Sequence, residues 1–362
     1  MTPEFSKKSF SFEFAPKRLR DEPKTRAGCL TMKKACLLRL VVILLAAVIF
    51  APPSWGQTKV RINWSSVTGW MSGIWLAYEE GIFKKNDLEV ELLHIPGASR
   101  AISALVADEI SFSSMDFQTA MQAYLNGADV VVVVGGGNRL PVSLLARPEI
   151  KKVSDLKDKK IGVARLGSLT YTAIIYIVNK AGLTPRDYQM LALVNQPNIL
   201  NALLGGQIEA GVLASPGSIR ARKAGFNELV NLLKDGPEYP AWGIGTTSRY
   251  IRANQEITRR VVRSYVEAVH LFKNNKRAAV RVLQKYTKLN DADILEETYK
   301  EVAENLEGVP YVNRDGLALI LANMEEFAAK ETQPKLEKFL DMRFVGELEK
   351  EGLFKKRFGD RY

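Results

Sequence analysis

The chain has 362 residues, a formal net charge of +11, two histidines and two cysteines. Residues 1–56 hold ten Lys/Arg against four Asp/Glu together with both cysteines, Cys29 and Cys36, so residues 57–362 carry only +5. That larger part needs no nucleic-acid partner, and it offers no disulfide, thiol nucleophile or thiolate metal ligand.

Met32-Lys33-Lys34 and Arg39 precede the uncharged apolar run Leu40–Phe50, and Ser54 and Gly56 form a small-x-small signature. This order predicts a secretory signal peptide over residues 32–56, cleaved between Gly56 and Gln57, and hence a periplasmic protein. The run is too short for a membrane anchor, which needs about 20 apolar residues. Residues 1–31 are basic, polar and aperiodic. They are expected to reflect a start codon placed upstream of Met32, and they are set aside from the fold.

From Thr58 onward strands and helices alternate. Lys59–Trp64 and Leu88–Ile95 read as strands, separated by a helix over Trp70–Glu80 that stops at Gly81. A helix over Arg100–Ala107, a strand over Ile110–Ser114 and a helix over Asp116–Asn126 come next. Ala128–Gly137 is a β-branched run of the kind buried in a mostly parallel sheet. A second round runs through strand Lys159–Ala164, helix Ser168–Ala181, strand Tyr188–Leu193, helix Pro197–Leu204 stopped by Gly205, and strand Ile208–Leu213. Pro216 is placed at a first helical position. Such alternation argues for right-handed βαβ units and two α/β lobes. Beyond Asn254 the texture is helical; Ile257, Val261, Val262, Tyr265, Val269 and Phe272 form an apolar stripe, and Arg259, Arg260, Arg263 and Lys273 are read as a solvated face.

One unit occurs twice. Ala104–Asp116 (ALVADEISFSSMD) is echoed 98 residues later by Ala202–Ser215 (ALLGGQIEAGVLAS), each an apolar helix end, a turn, a strand led by isoleucine and a serine. Two similar lobes facing one cleft are expected, with Ser114 on one side and Ser215 on the other.

Catalytic signatures are missing. His94 and His270 lie in different rounds, no G-x-S-x-G elbow occurs, and Gly135-Gly136-Gly137 lacks dinucleotide-binding spacing. That triplet is read as a strand end or hinge, and His270 as structural; His94, at a strand end, lies near the expected site. Small polar helix starts come after several strands instead: Gly97-Ala98-Ser99, Ser113-Ser114 before Asp116, Gly167-Ser168-Leu169-Thr170 and Ala214-Ser215. Free N–H groups at a helix start suit a carboxylate, sulfonate, phosphate or nitrate, although Ser and Thr are also ordinary caps.

Trp75–Leu105, Asp155–Ser168, Ala202–Pro216 and Asp341–Phe354 together resemble the periplasmic solute-binding proteins of ABC importers, in the group of taurine, alkanesulfonate, nitrate and thiamine-pyrimidine binders. The resemblance spans nearly all of residues 58–355. It implies a type II periplasmic-binding-protein fold, two doubly wound α/β lobes joined by a two-strand hinge, with crossings near Gly137–Pro141 and Trp242–Thr247. The lobes would be 57–138 plus 246–330 and 139–245, followed by a helical segment over 331–362. Where the group has Gly-x-Ile-Asp, this chain has Asp108-Glu109-Ile110-Ser111; aspartate tolerates a left-handed turn. The implied binding positions are Ser66, Thr68, Trp70, Ala98, Ser99, Met115, Asp116, Gly167, Ser168, Thr170, Ser215 and Trp242, with Arg100 and Arg165 beside two helix starts. The tryptophans could stack on a flat or aliphatic ligand, and Asp116 could hold an amine or cap its helix. The implied function is a monomeric, cofactor-free and metal-free binding protein that delivers a small anionic or aromatic solute to a membrane permease. The rivals are an enzyme on the same fold, of pyrimidine-precursor or menaquinone-pathway type, and a ligand-sensing partner of a membrane receptor.

Overall fold

The computed structural model describes residues 58–322, 324 and 336–359. The expected leader, the upstream extension and the boundary drawn at 330/331 lie outside the described residues. The described chain builds two five-stranded sheets with the same internal order. In the first, β1 (Thr58–Trp64) pairs parallel with β2 (Leu88–His94) and with β3 (Phe112–Asp116). In the second, β6 (Lys160–Val163) pairs parallel with β7 (Gln189–Ala192) and with β8 (Ala210–Leu213).

Beyond β3 and beyond β8 each sheet takes in an antiparallel strand, which in the first sheet comes from beyond the second sheet and in the second sheet is its first strand. β10 (Glu238–Thr246) runs between β3 and β4 (Val131–Arg139), and β5 (Ser143–Ala146) between β8 and β9 (Asn227–Asn231). The chain leaves the first sheet after Arg139 and re-enters it at Glu238. β4 is therefore not part of a mostly parallel ladder, contrary to the reading of its composition. Its valines are apolar on both faces because helices cover them: Val131–Val134 are all buried, Asp341 N–H bonds the Val132 carbonyl at 2.9 Å, and Gly135 N–H bonds the Pro310 carbonyl at 2.9 Å. Those contacts also close what would be an open sheet edge.

The repeated unit is real at the level of single hydrogen bonds. The Ala98–Val106 and Gln196–Leu204 helices lie 98 residues apart, as the sequence echo requires. After each, the chain turns through a left-handed residue, Asp108 at φ 58° and Gly206 at φ 70°. Asp108 and Glu109 donate to Leu105 and Ala104, just as Gly206 and Gln207 donate to Leu203 and Ala202. Ile110 and Ile208 are then buried. Because each turn absorbs two more residues than expected, β3 begins at Phe112 and β8 at Ala210. Gly205 stays at φ −81°, so Gly206 is the left-handed stop.

Two more readings change. Pro216 precedes its helix (Gly217–Lys223) as the cap residue instead of opening it. The basic face of the Gln255–Asn274 helix is not simply solvated: Arg259 and Arg263 both pair with Glu351 beyond the C-terminal Arg343–Lys350 helix, and Arg260 binds Glu256 at 3.0 Å. The apolar stripe opposite them is buried as expected through Val261, Val262, Tyr265, Val269 and Phe272.

Candidate functional site

The carboxyl ends of both sheets converge on a cavity of about 120 Å³. From the first half of the fold come Ser65, Ser66, Thr68, Trp70, Met71, Gly97, Ala98, Met115, Asp116 and Trp242; from the second come Pro141, Val142, Ala164, Arg165, Ser168, Leu169, Thr170, Val194, Asn195, Gln196 and Ala214. This is where open α/β sheets bind ligands. Nine of the expected positions line it together: Ser66, Thr68, Trp70, Ala98, Met115, Asp116, Ser168, Thr170 and Trp242.

Ser99 and Gly167 do not. Both are exposed and line a groove at the mouth with Ile102, Val106 and Leu166. Arg100 is exposed beside them and lines neither hollow. Ser215 is fully buried, gives its hydroxyl hydrogen to Glu301, and accepts the Gly69 N–H at 3.0 Å on its carbonyl. It joins the two lobes without facing the cavity. Ser114 lies 3.0 Å from the Ser65 hydroxyl and accepts the Ser65 N–H at 3.0 Å, bracing the turn after β1. The serines that end the two copies are thus struts, and they are not equivalent: 98 residues before Ser215 stands Phe117. His94 stacks on Trp64 at 3.7 Å, away from the cavity, and His270 meets Phe358 edge-on.

The helix starts around the cavity differ in a way that sequence could not reveal. Asp116 accepts the Thr119 N–H at 2.7 Å and Asn195 accepts the Asn198 N–H at 3.0 Å, so these two helices are capped by their own chain. The Ala98–Val106 helix starts at Gly97 and the Leu169–Lys180 helix at Ser168, and neither has a side-chain cap. Ser168 turns its hydroxyl to the Arg165 carbonyl at 2.7 Å and lies 3.0 Å from the Thr170 hydroxyl, which accepts the Ala164 N–H at 2.9 Å. That ring of bonds fixes the loop and leaves the first-turn N–H groups to a ligand. At least one uncapped helix start therefore faces the cavity from each lobe.

Arg165 lies between them. Its guanidinium crosses to the opposite lobe, where a Cβ on Gly97 would stand 3.3 Å from Cζ and Nη2. Among the described residues it forms no hydrogen bond or ion pair at contact distance. Its charge offsets part of the burial that raises the Asp116 carboxyl above its usual range. Trp70 and Trp242 are buried, each with an indole N–H that lacks a protein acceptor. They also border a larger hollow of about 1130 Å³ on the hinge side, lined by Arg139, Glu238, Lys273 and Glu307 among others. The glycine triplet makes room for this wall: a Cβ on Gly136 would sit 2.3 Å from the Trp242 ring and one on Gly135 2.8 Å from the Tyr311 carbonyl.

Away from the cavity the lobes meet a second time. Arg222 of the Gly217–Lys223 helix binds Glu228 at 2.9 Å and also Glu297, and Lys223 lies 3.5 Å from Asp293. Beside them, burial raises the Glu301 carboxyl above its usual range despite the Ser215 hydrogen bond and the nearby Arg222 charge.

Sequence reasoning missed Ser65, Met71, Gly97, Pro141, Val142, Ala164, Leu169, Val194, Asn195, Gln196 and Ala214 among the lining residues. Most are small or apolar, and no spacing marks such residues as lining a cleft; Gly97, Leu169 and Ala214 could have been found, since each belongs to a helix start already singled out.

A Brucella abortus protein provisionally named a binding protein is 24% identical over 247 residues, 67% of this chain and 75% of the relative. Among solved structures, a protein of Bordetella bronchiseptica RB50 superimposes with a TM-score of 0.71 at 21% identity, covering 82% of this chain and 98% of its own. The alkanesulfonate-binding protein SsuA from Xanthomonas axonopodis pv. citri, bound to MOPS, gives a TM-score of 0.66 at 18% identity, covering 79% and 98%. These structural likenesses establish the two-lobed periplasmic-binding-protein fold. With residues 70–279, more than half of its length, matching the family described as NMT1/THI5 like, the chain belongs to that family.

Proposed function

We propose that this protein is an extracytoplasmic, non-enzymatic solute-binding protein that captures a small organic anion and hands it to the permease of an ABC importer. Residues 32–56 would direct its export, and Ser66, Thr68, Trp70, Ala98, Met115, Asp116, Ser168, Thr170 and Trp242 would contact the solute. The observation that carries the reading is the pairing of two uncapped helix starts, one from each lobe, with the guanidinium of Arg165 above one cavity. An anion placed there engages both lobes at once. It stabilises the closed arrangement by its differential contacts, and the closed arrangement presents a different outer surface to a permease. The sulfonate-binding relative bound to MOPS and the provisional name of the Brucella protein support the same direction.

A thermal-shift titration of residues 57–362 against nitrate, alkyl and aryl sulfonates, carboxylates and pyrimidines tests this. A bound solute at a hundredfold excess over its Kd adds about 2.7 kcal/mol, roughly 5 °C for a chain of this size. A saturable shift with the compound recovered unchanged supports a binding protein. Chemical conversion of the compound, or no shift across the whole panel, overturns the reading.

A further inference from the structure

Among the described residues five besides glycine have positive φ, and four of them are Asp or Lys at 57–58° in ordinary left-handed turns. The fifth is Val194 at φ 74°. A β-branched side chain at positive φ is strained, because Cβ and both γ-carbons crowd the backbone. The conformation persists because hydrogen bonds fix it from both sides. Leu193 and Val194 donate to Val163 and Ala164 at 2.8 Å each, prolonging the β6–β7 ladder. Asn195 N–H then folds back to the Leu193 carbonyl at 2.9 Å, a three-residue turn that is rare at positive φ. The Asn198 amide grips the same carbonyl at 2.9 Å, and Asn195 caps the next helix. The first lobe solves the corresponding bend with a glycine, Gly97 at φ 86°.

Strain of this sort gathers where a side chain is held for use. Val194 lines the cleft cavity beside Leu169 and is 60% exposed. Its N–H bonds the carbonyl of the residue preceding Arg165, so the two side chains come from adjoining strand ends. A solute whose anionic group lies at Arg165 would carry its remaining atoms past Val194 and cover its exposed methyl groups.

Resting on the binding-protein reading, we infer that Val194 is held in a strained turn to contact the apolar body of the solute, so that the site selects an alkyl or aryl oxyanion over a bare inorganic one. Two variants of the residue 57–362 protein test this, read by melting temperature without solute and by affinity for pentanesulfonate, benzenesulfonate and nitrate. Val194→Gly relieves the strain and removes the contact: the melting temperature rises by about 2 °C or more, and affinity for the organic sulfonates falls about tenfold. Val194→Thr keeps the shape and the strain but adds a hydroxyl: the melting temperature stays within about 1 °C, and sulfonate affinity falls severalfold. Wild type prefers the sulfonates to nitrate, and nitrate binding does not respond to either variant.

Unchanged sulfonate affinity in both variants overturns this inference while leaving a binding protein intact. So does tighter binding of nitrate than of either sulfonate, or a Val194→Gly protein that melts at a lower temperature. A wild type that binds none of the three probes, yet binds a neutral pyrimidine from the wider panel, overturns the anion reading and this inference with it.

Discussion

The first sheet receives a long crossing strand and the second a short one. β10 has nine residues, β5 four. Midway along β10, Trp242 packs against Gly136, and the β10–β4 ladder shifts register at three places, against one shift between β5 and β9. The second sheet invests in its loops instead, where Arg165 and the clamped Val194 turn face the cavity. From one strand order the chain thus derives a fixed aromatic wall on one side and a charged, strained rim on the other. The common topology positions the cleft, while single residues at the strand ends give each side its chemistry.

The largest expected effect strikes the aromatic wall. Gly136→Ala forces a methyl to 2.3 Å from the Trp242 ring, and overpacking of that order costs about 1–3 kcal/mol, so the melting temperature falls by several degrees. Gly137→Ala, whose methyl would stand 3.5 Å from the Trp242 indole nitrogen, serves as the control and changes it far less. On the charged rim, Arg165→Gln removes the cation and weakens an anionic solute roughly 10–100-fold, since a hydrogen bond to a charged group contributes about 1.5–3 kcal/mol. Arg100→Gln, on an exposed helix start outside the cavity, leaves affinity unchanged. Isothermal titration with the same solute separates the two.

Where the lobes touch outside the cavity, pH is the probe. The folded-state pKa of Glu301 is raised, so as pH rises the unfolded chain loses its proton first, and stability is lost between the unfolded value near 4.5 and the higher folded one. Glu301→Gln can still accept from Ser215 without a buried charge. It should melt above wild type at pH 7, and the difference should vanish below about pH 4. The smallest effect compares the two copies of the repeated turn directly. Asp108→Gly eases a left-handed residue and gains about 0.5 kcal/mol, whereas Gly206→Ala loses about 1 kcal/mol. The Asp108–Arg249 ion pair lost in the first variant is exposed on both sides and contributes little.

Much of this architecture could be read in the amino acids. The alternation of short apolar runs with helices stopped by Gly81, Gly127 and Gly182 gave the lobes, and the 98-residue echo located matching units to the residue. Strand partners were harder to read: a run of five valines suits a central parallel strand and equally an antiparallel one roofed by helices, and composition does not say which. At the site, tryptophan, aspartate and the hydroxyl-bearing helix starts drew notice because their chemistry is conspicuous. Whether a helix start is open or self-capped is settled by side-chain rotation, so Ser168 and Asp116 looked alike until their partners were known. The strain at Val194 left no trace at all, because valine after a strand is the most ordinary of residues; the clamp comes from bonds to β6 and from Asn198.

The late return of β10 to the first sheet has a consequence for how such a protein is made. β4 meets β3 only through β10, so its sheet hydrogen bonds have no partner until residues 238–246 have left the ribosome, about a hundred residues after β4 itself. At about 5–20 residues per second that is a wait of some 5–20 seconds with a bare valine strand. Until the last third of the chain arrives, Val131–Val134 lack the strand that completes their sheet.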